Sequence, residues 1–375
     1  MVANNDFSLI ECLEKLDDPR IVERSDHKLV DIVTITVVAV IAGADSWVDI
    51  ESFGNCKHDW LRTFLELPNG IPSHDTFGRL FKILDTARFS KLFAAWTRSV
   101  FKITAGEIVA IDGKTVRRSH DKSDSKAAIH MVNAWAVQTG VSLGQKRTAA
   151  KSNEITAIPE LLAILDLKGC IVTTDAMGCQ KKIAENIREN EADYVLAVKR
   201  NQKSLYEDIK AIFTELPTED LREMGYQTHE TIDGDHGRVE TRQYYLLSDI
   251  SWLPNRNDWK DLSSIGMVRS KREIDGKTSI DSRFYITSLK EVKTFASSVR
   301  GHWGVENNLH WSLDVTFRED ENRTRKGNAA ANLAIIRQMA LNLLKQEKSL
   351  KVGIKAKRNK AGWDNSYLLK VLGVK

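Results

Sequence analysis

Between residues 107 and 198 the chain switches repeatedly between short β-branched runs and segments with helical periodicity. Its apolar runs predict strands at 107–112, 129–137, 141–146, 170–175 and 194–198, and its amphipathic segments predict helices at 156–165 and 181–190. The elements therefore follow one another in the order β-β-β-α-β-α-β. This order predicts an α/β fold whose central sheet is built from strands and crossover helices.

The flanking regions have different patterns. Helical periodicity dominates the first hundred residues, with predicted helices at 29–44, 47–64, 77–83 and 89–101. Strands are predicted again at 238–247, 264–269 and 282–287, and helices at 293–313 and 328–345. We therefore expect an N-terminal helical domain over 1–103 and an α/β domain over 104–345 with a β-rich insertion at about 225–290. A basic C-terminal tail over 346–375 completes the predicted organisation.

Two aspartates stand where predicted strands end. Asp112 closes the first strand and Asp175 the fourth. The element order is that of a ribonuclease-H-like core, in which the first and fourth strands are neighbours, so the two carboxylates are expected side by side. Adjacent carboxylates repel unless a cation lies between them, and oxygen ligands favour Mg²⁺ or Mn²⁺. The alternative is that each aspartate is only a turn or cap residue.

A third carboxylate for such a site lies in the segment from 299 to 321. The candidates are Glu306, Asp314, Glu319, Asp320 and Glu321. On an α-helix, His302, Glu306 and His310 would share one face. That stripe could hold zinc, but a solvated or DNA-facing surface is the simpler interpretation.

Composition limits the class of protein. Apolar residues make up 42% of the chain and charged residues 28%, which is typical of a globular protein and argues against global disorder. The four cysteines have no paired spacing and are predicted to be free thiols in a reducing cytoplasm. No secretory signal is evident, and the apolar run at 29–44 is shorter than the ~20 residues of a membrane span. We expect a cytoplasmic protein that makes no membrane contact.

The net charge of +4 is weak evidence for nucleic acid, but the charge is unevenly distributed. Seven Lys or Arg lie in the range from Lys345 to Lys360, against one acid, Glu347.

Several sequence runs resemble those of the H-repeat-associated group of bacterial insertion-sequence transposases, in the DDE superfamily. The resemblance extends from about Phe7 to Leu344 and rests on these runs together: 18–20, 70–77, 111–114, 151–157, 174–178, 201–203, 236–238, 302–307 and 313–315.

The resemblance implies three metal-binding carboxylates on a ribonuclease-H-like core, the third on a late helix after a β-rich insertion. Carried over by motif, they are Asp112, Asp175 and Glu306, with Asp314 as the runner-up for the third position. They would hold two Mg²⁺ or Mn²⁺ ions. Related transposases carry an Arg four positions before the last acid and a Lys seven positions after it. This chain has His302 and Leu313 there, and Arg300 is a candidate substitute for the missing Arg.

Basic residues near these motifs are predicted to contact DNA phosphates. For each group the alternative is a solvated surface. One group follows Asp112, one follows the fifth strand and the others flank the predicted catalytic helix: Lys114, Arg117, Arg118, Lys199, Arg200, Lys203, Arg300, His302, Arg318, Arg323, Arg325 and Lys326.

The resulting hypothesis is a transposase that cuts double-stranded DNA at the ends of an insertion sequence and joins the freed 3′-hydroxyl to target DNA. It would act as a dimer in the DNA complex and be associated with the nucleoid when bound. Two alternatives remain open from the sequence. One is a metal-dependent nuclease on the same core, and the other is a transposase-derived DNA-binding protein whose catalytic site has decayed.

Overall fold

The computed structural model describes residues 9–120, 127–148, 154–215, 224, 226–235, 238–274 and 277–373. They divide into two compact units. The first comprises the described residues of 1–103, 113–153 and 305–375, and the second those of 104–112 and 154–304. Residues 151–153 and 236–237, which belong to two of the recognised sequence runs, lie outside the described residues.

Helices form the N-terminal part of the first unit, as predicted. The most apolar of them, α2, is buried along almost its whole length, and side-chain oxygens of Ser46, Ser73 and Asp85 cap the three helices that follow them. The segment predicted as one helix over 47–64 is two helices that meet at Lys57. The bounds are α1 Leu9–Leu13, α2 Leu29–Ile41, α3 Trp47–Cys56, α4 His58–Leu61, α5 His74–Ile83 and α6 Thr86–Val100.

A hairpin of β2 (His130–Ala136) and β3 (Val141–Arg147) packs in the first unit against a long helix, α11 (Ala329–Gln346). Their interface contains a buried polar network. The Gln338 amide donates to Asn133 Oδ1 at 2.7 Å and to Gln145 Oε1 at 2.5 Å, and Asn342 bonds the backbone of Ser142 through both its oxygen and its nitrogen. Because buried amides are costly unless they are paired, this network specifies how α11 sits on the hairpin.

The predicted basic tail contains two helices, α12 (Ile354–Trp363) and α13 (Asn365–Leu372). Arg358 of α12 is buried and donates to the Val40 carbonyl at 2.9 Å and to the Thr316 carbonyl, with its guanidinium 4.4 Å from the Phe317 ring centroid. Gly362 is required on the same helix, since a Cβ there would lie 2.8 Å from the Ala42 carbonyl oxygen. Arg358 therefore holds α12 against the C-terminal end of α2.

The second unit is an α/β sheet with helices. Its strands lie in the order β1-β4-β5-β9-β8-β7-β6, with β1, β4 and β5 parallel and the remaining pairs antiparallel. The predicted succession of three strands, helix, strand, helix and strand over 107–198 is confirmed. The bounds are β1 Ile108–Thr115, α7 Glu154–Leu162, β4 Ile171–Thr174, α8 Lys181–Glu189, β5 Asp193–Val198 and α9 Lys203–Glu215, and the boundary between the units falls within β1.

The predicted β-rich insertion forms long antiparallel hairpins whose strands are β6 Tyr226–Asp235, β7 Arg238–Leu247, β8 Ser264–Ile274 and β9 Lys277–Thr287. Strand β6 was not predicted, and β8 and β9 extend beyond the predicted 264–269 and 282–287. Their outer halves are largely polar and exposed. Because neither face is buried there, the side chains do not alternate between apolar and polar, although the backbone pairing of the strands continues. The inner halves pack on α10 (Val292–His302), where Phe295 lies over Gly266.

Beyond α10 the backbone changes its helical period. Residues Val305–His310 and Ser312–Thr316 are π-helical, in a region predicted to continue as an α-helix to 313. π-Helical turns are rare and are frequently found at functional sites. No helix within the described residues is both long enough and apolar enough to cross a membrane.

Candidate functional site

Asp112 and Asp175 occupy equivalent positions on neighbouring parallel strands of the second unit. The register of β1 and β4 places Ile111 opposite Thr174, and each aspartate is the next residue of its chain. Paired strands lie about 4.8 Å apart, so the two aspartates are adjacent across the pair. Asp175 directly follows β4, but the prediction that Asp112 closes the first strand is wrong, because β1 continues to Thr115. The pairing confirms the sequence-based expectation that the first and fourth strands are neighbours.

The Asp175 carboxylate is held by the turn that follows it. Its Oδ1 accepts hydrogen bonds from the backbone N–H groups of Met177 at 3.0 Å and Gly178 at 3.3 Å. Gly178 is required, because a Cβ there would come within 2.6 Å of the Thr174 side chain. No hydrogen bond within the described residues uses Oδ2, so one carboxylate oxygen is positioned by the backbone and the other is left for a ligand.

The electrostatic surroundings of Asp175 suit a cation. Burial raises the pKa of Asp175, and the negative charge of Glu154 raises it further, while the two backbone N–H groups and Lys199 act in the opposite direction. The net result is a pKa above the ordinary value of an aspartate. A raised pKa means that the folded protein stabilises the negative charge of this carboxylate less well than water does. A bound cation would provide the missing stabilisation.

Two amides that the sequence analysis left without a role support the same turn. The Asn201 side chain donates to the Ala176 carbonyl at 2.6 Å, and the Gln202 side chain donates to the Cys179 carbonyl at 3.0 Å. Both residues belong to the run Asn201–Lys203, which the resemblance had singled out. The run therefore ties the end of β5 to the loop that carries Asp175.

Glu306 lies in the first unit, on the π-helical segment Val305–His310, and its side chain is exposed. Hydrogen bonds in a π-helix run from residue i to i+5, so residues four apart no longer stack as they do in an α-helix. Glu306 is exposed while His310 is partly buried, with its Nε2 3.5 Å from the Asn133 amide nitrogen. The predicted α-helical stripe of Glu306 and His310 is therefore wrong.

Asp314, the runner-up for the third carboxylate, is engaged in a buried ionic cluster of the first unit. Lys114 Nζ lies 2.6 Å from Asp314 Oδ1 and 2.5 Å from Glu319 Oε2, and Arg337 Nη1 lies 3.7 Å from Glu319 Oε1. Burial alone would raise the pKa of Glu319, but Lys114 and Arg337 hold it below its ordinary value. Four of the five candidate acids thus have cationic partners, since Asp320 also pairs with Arg117 and Glu321 with Arg318.

Lys114 occupies a different environment from the one predicted for a phosphate clamp. Its side chain is only 8% exposed, and it is surrounded by the carboxylates of Asp314 and Glu319. Lys114 lies within β1, which continues to Thr115, and is buried there, whereas the sequence pattern suggested an exposed loop after Asp112. Lys114 therefore offers no exposed cation to DNA in this arrangement.

Of the residues of the second unit that were predicted to contact DNA phosphates, some are exposed and others already contact protein groups. Lys199, Arg200 and Lys203 are exposed at the end of β5, and Arg300 is half exposed with its Nη2 3.7 Å from Asp233 Oδ2. His302 is different, because its Nδ1 lies 2.9 Å from Thr173 Oγ1 and burial lowers the pKa of His302 to about 4. The imidazole is neutral at pH 7 and brings no charge to a phosphate.

In the first unit, two basic groups that are distant in sequence come together. The Arg325 side chain donates to the Arg118 carbonyl at 3.2 Å, and Arg117 Nε lies 3.2 Å from Asp320 Oδ2. The exposed Arg318 forms an ion pair with Glu321. The residues after β1 and those at 318–326 therefore form one basic surface, whose other exposed members are Arg323 and Lys326.

Within the described residues, no group of three or more His, Cys, Asp or Glu side chains converges as a preformed metal site would require. Asp112 and Asp175 are brought together by the sheet of the second unit, whereas Glu306 is carried by the first unit.

Comparison with known proteins agrees with these features. A family model described as "DDE_Tnp_1-associated" matches residues 10–97, and one described as "Transposase DDE domain" matches residues 104–343. "Putative transposase YncI" of Escherichia coli O157:H7 is 43% identical over 371 residues, covering 97% of this chain and 94% of that protein. "H repeat-associated putative transposase YhhI" of Escherichia coli strain K12 is 40% identical over 371 residues, covering 97% of each chain.

Among solved structures, a piggyBac transposase synaptic complex with hairpin DNA matches with a TM-score of 0.45 and 13% identity, covering 97% of this chain and 78% of that one. The sequence comparisons alone are decisive, since the DDE-domain model spans more than half of the chain and the relatives match almost its entire length. The chain therefore belongs to the DDE transposases, within the H repeat-associated group.

Proposed function

We propose that this transposase cuts double-stranded DNA at the ends of an insertion sequence and joins the freed 3′-hydroxyl to target DNA. Asp112, Asp175 and Glu306 are proposed as the catalytic carboxylates, and a ribonuclease-H-like core as the fold that presents them. The observation that carries this proposal is the register of β1 and β4, which sets Asp112 and Asp175 side by side in a chain of this family.

The donor set fits hard divalent cations. Asp175 has one oxygen without a hydrogen bond within the described residues, and burial raises the pKa of its carboxyl group. Carboxylate oxygens are preferred ligands of Mg²⁺ and Mn²⁺. Glu306 is exposed on its segment, whereas Asp314 is neutralised by Lys114. We therefore assign Asp112, Asp175 and Glu306 as the residues that would hold two ions.

The proposed reaction has two balanced steps. In the first, a water oxygen bonds to the scissile phosphorus, the bond from phosphorus to the 3′ oxygen breaks, and that oxygen leaves as a hydroxyl. In the second, the hydroxyl gives up its proton, its oxygen bonds to a target phosphorus, and the 3′ oxygen of the target strand is displaced. Two bound ions would activate the attacking oxygen and stabilise the leaving one. No covalent bond to the protein is needed.

The protein's own contribution is to hold the carboxylates and the DNA backbone. The turn after β4 orients Asp175 through two backbone N–H groups, and Asn201 and Gln202 restrain that turn. The exposed cations at 199–203 in one unit and at 117–118 and 318–326 in the other are proposed phosphate contacts. We also propose that the N-terminal helical domain, residues 1–103, contributes to DNA binding and that the active complex contains two copies of the chain.

The test is an assay of cleavage and joining with the purified full chain. Its substrate is a DNA fragment that carries this coding sequence with its flanking DNA, incubated with a supercoiled target plasmid. The expected products are 3′-hydroxyl ends and joined molecules, both dependent on Mg²⁺ or Mn²⁺. Cleavage without joining would instead indicate a nuclease, and DNA binding without cleavage in either metal would indicate a chain that has lost catalysis.

Asn201→Ala is expected to weaken catalysis by roughly 10- to 100-fold, as is common for residues that orient metal ligands. Loss of its hydrogen bond to the Ala176 carbonyl loosens the turn that holds Asp175. The concentration of Mn²⁺ for half-maximal cleavage should therefore rise. The matched control is Asn190→Ala, which removes an amide that donates to the Asn186 carbonyl at 2.8 Å, away from the aspartates. Equal metal requirements in the two variants would contradict the positioning role.

A further inference from the structure

The surface around helix α12 has cations that no acid of the described chain balances. Lys348 and Lys351 lie in the segment leading into the helix, Lys355 lies in its first turn, and all three are exposed. None of them is ion-paired within the described residues. The nearby acids are already engaged, since Glu347 interacts with Lys357 and Tyr367, and Asp364 pairs with Lys360 at 3.2 Å.

The position of these lysines around the start of α12 is electrostatically unfavourable for the isolated protein. The N-terminal end of a helix carries a partial positive charge, and acids are normally favoured there. Helix α12 has no acid in its first turn, no side chain caps it at Gly353, and Lys351 and Lys355 flank this end. Lys348 also disfavours the charged form of its neighbour Lys345, whose pKa burial and then Lys348 lower to about 8. An external anion would relieve this accumulation of positive charge.

An exposed aromatic residue lies at the other end of the same helix. Trp363 is 81% exposed, an unusual position for so large an apolar side chain. Lys355, Asn359 and Trp363 are spaced four residues apart, so they form one stripe, and all three are exposed. The stripe spans about 12 Å along the helix axis, and the major groove of DNA is wide enough to admit a helix.

The opposite side of α12 is rigidly attached to the rest of the first unit. Arg358 donates to carbonyls of α2 and of the π-helical region, and Lys357 Nζ donates to the Leu344 carbonyl at 3.0 Å. The helix thus directs two of its cations inward as structural anchors and leaves Lys355, Asn359 and Trp363 exposed. A helix presented in this way needs no rearrangement to meet a partner.

From these observations we infer that α12 is a DNA-contacting helix of the transposase. Lys348, Lys351 and Lys355 contact phosphates, and Trp363 contacts bases or sugars in the groove. This assignment rests on the proposed function, because it takes duplex DNA as the partner. A second copy of the chain is a poorer occupant, since two such surfaces would bring lysines against lysines.

The test measures binding of the full chain to a duplex of arbitrary sequence over a range of salt concentrations. Each cation that neutralises a phosphate contributes about −0.9 to the slope of log affinity against log salt. The variant Lys348→Ala/Lys351→Ala/Lys355→Ala is therefore expected to have a slope shallower by about 2.7. Trp363→Ala should weaken binding roughly tenfold, because it removes a large apolar contact, and should leave the slope unchanged, because no charge is lost.

The matched control is Lys168→Ala/Lys181→Ala/Lys182→Ala, which removes the same net charge. These lysines are exposed, but each pairs with an acid at 2.6 or 2.7 Å. The control should keep the wild-type slope, and equal slopes for both triple variants would overturn the assignment. Circular dichroism and thermal unfolding verify that every variant is folded.

Two further outcomes separate this inference from the proposed function. If the wild-type chain cuts and joins DNA while the α12 variants bind as the wild type does, the surface assignment is wrong and the transposase chemistry stands. If Trp363→Ala lowers the mass of the free protein in sedimentation without changing its DNA affinity, the surface belongs to a second copy of the chain. A wild-type chain that binds no duplex at all would overturn both proposals.

Discussion

Asp112→Asn is expected to reduce DNA cleavage by at least about a hundredfold while the fold and DNA binding remain intact. The substitution removes one negative charge beside Asp175 and replaces an anionic metal ligand by a neutral amide, and metal-ion catalysis supplies several kcal/mol of transition-state stabilisation. An amide of the same shape at this partly exposed position of β1 should cost little stability.

The measurement is the rate of strand cleavage in Mg²⁺ and in Mn²⁺, with duplex affinity and thermal unfolding determined in parallel. Asp166→Asn is a suitable control, because Asp166 is an exposed aspartate of the same unit outside the proposed site. Retention of more than a few per cent of the wild-type rate in Mg²⁺ would show that Asp112 is not a metal ligand.

Glu306→Gln is expected to abolish cleavage without altering stability, whereas Asp314→Asn should alter stability without abolishing cleavage. Glu306 is exposed, so its neutralisation leaves no buried group without a partner. Asp314 is 2.6 Å from the buried Lys114, and its loss leaves that ammonium with Glu319 and Asp320 among the described acids. Because the Asp314 side chain is about a third exposed, solvent screening limits the expected destabilisation to about 1 kcal/mol.

The two variants are compared by cleavage rates across Mg²⁺ and Mn²⁺ and by thermal unfolding. Each serves as the control for the other, since both remove one carboxylate charge from the same π-helical region. An inactive Asp314→Asn protein together with an active Glu306→Gln protein would transfer the third ligand to Asp314. It would also imply that Lys114 releases Asp314 when metal binds.

The arrangement around Lys114 explains why several acids close to Glu306 in sequence are poor alternatives to it. Lys114 follows Asp112 by two positions, on the same strand β1, and its ammonium gathers Asp314 and Glu319 from a segment some two hundred residues later. One strand therefore contributes a proposed metal ligand and the cation that neutralises competing carboxylates. Arg337 on α11 completes the compensation of Glu319.

The sequence alone was sufficient to predict the succession of strands and helices over 107–198 and the adjacency of Asp112 and Asp175. Buried strands and amphipathic helices are recognisable from the spacing of their apolar residues, and the order of such elements restricts how parallel strands can pair. The N-terminal helices were predicted for the same reason. The assignment to the transposase family rested on motifs that are themselves continuous in sequence, and the comparisons confirmed it.

Other features were decided only by the tertiary structure. Lys114 and Glu319 are 205 positions apart, and Arg358 reaches the carbonyl of Val40 from 318 positions away, so no local pattern marks these cations as buried. The same residue types at Lys355 and Arg323 are exposed. A lysine or arginine carries an identical charge in both settings, and only the packing of distant elements determines whether it neutralises a carboxylate, caps a helix or remains available for DNA. The π-helical segments Val305–His310 and Ser312–Thr316 were likewise not predictable, because an altered hydrogen-bond period has no signature in hydrophobic spacing.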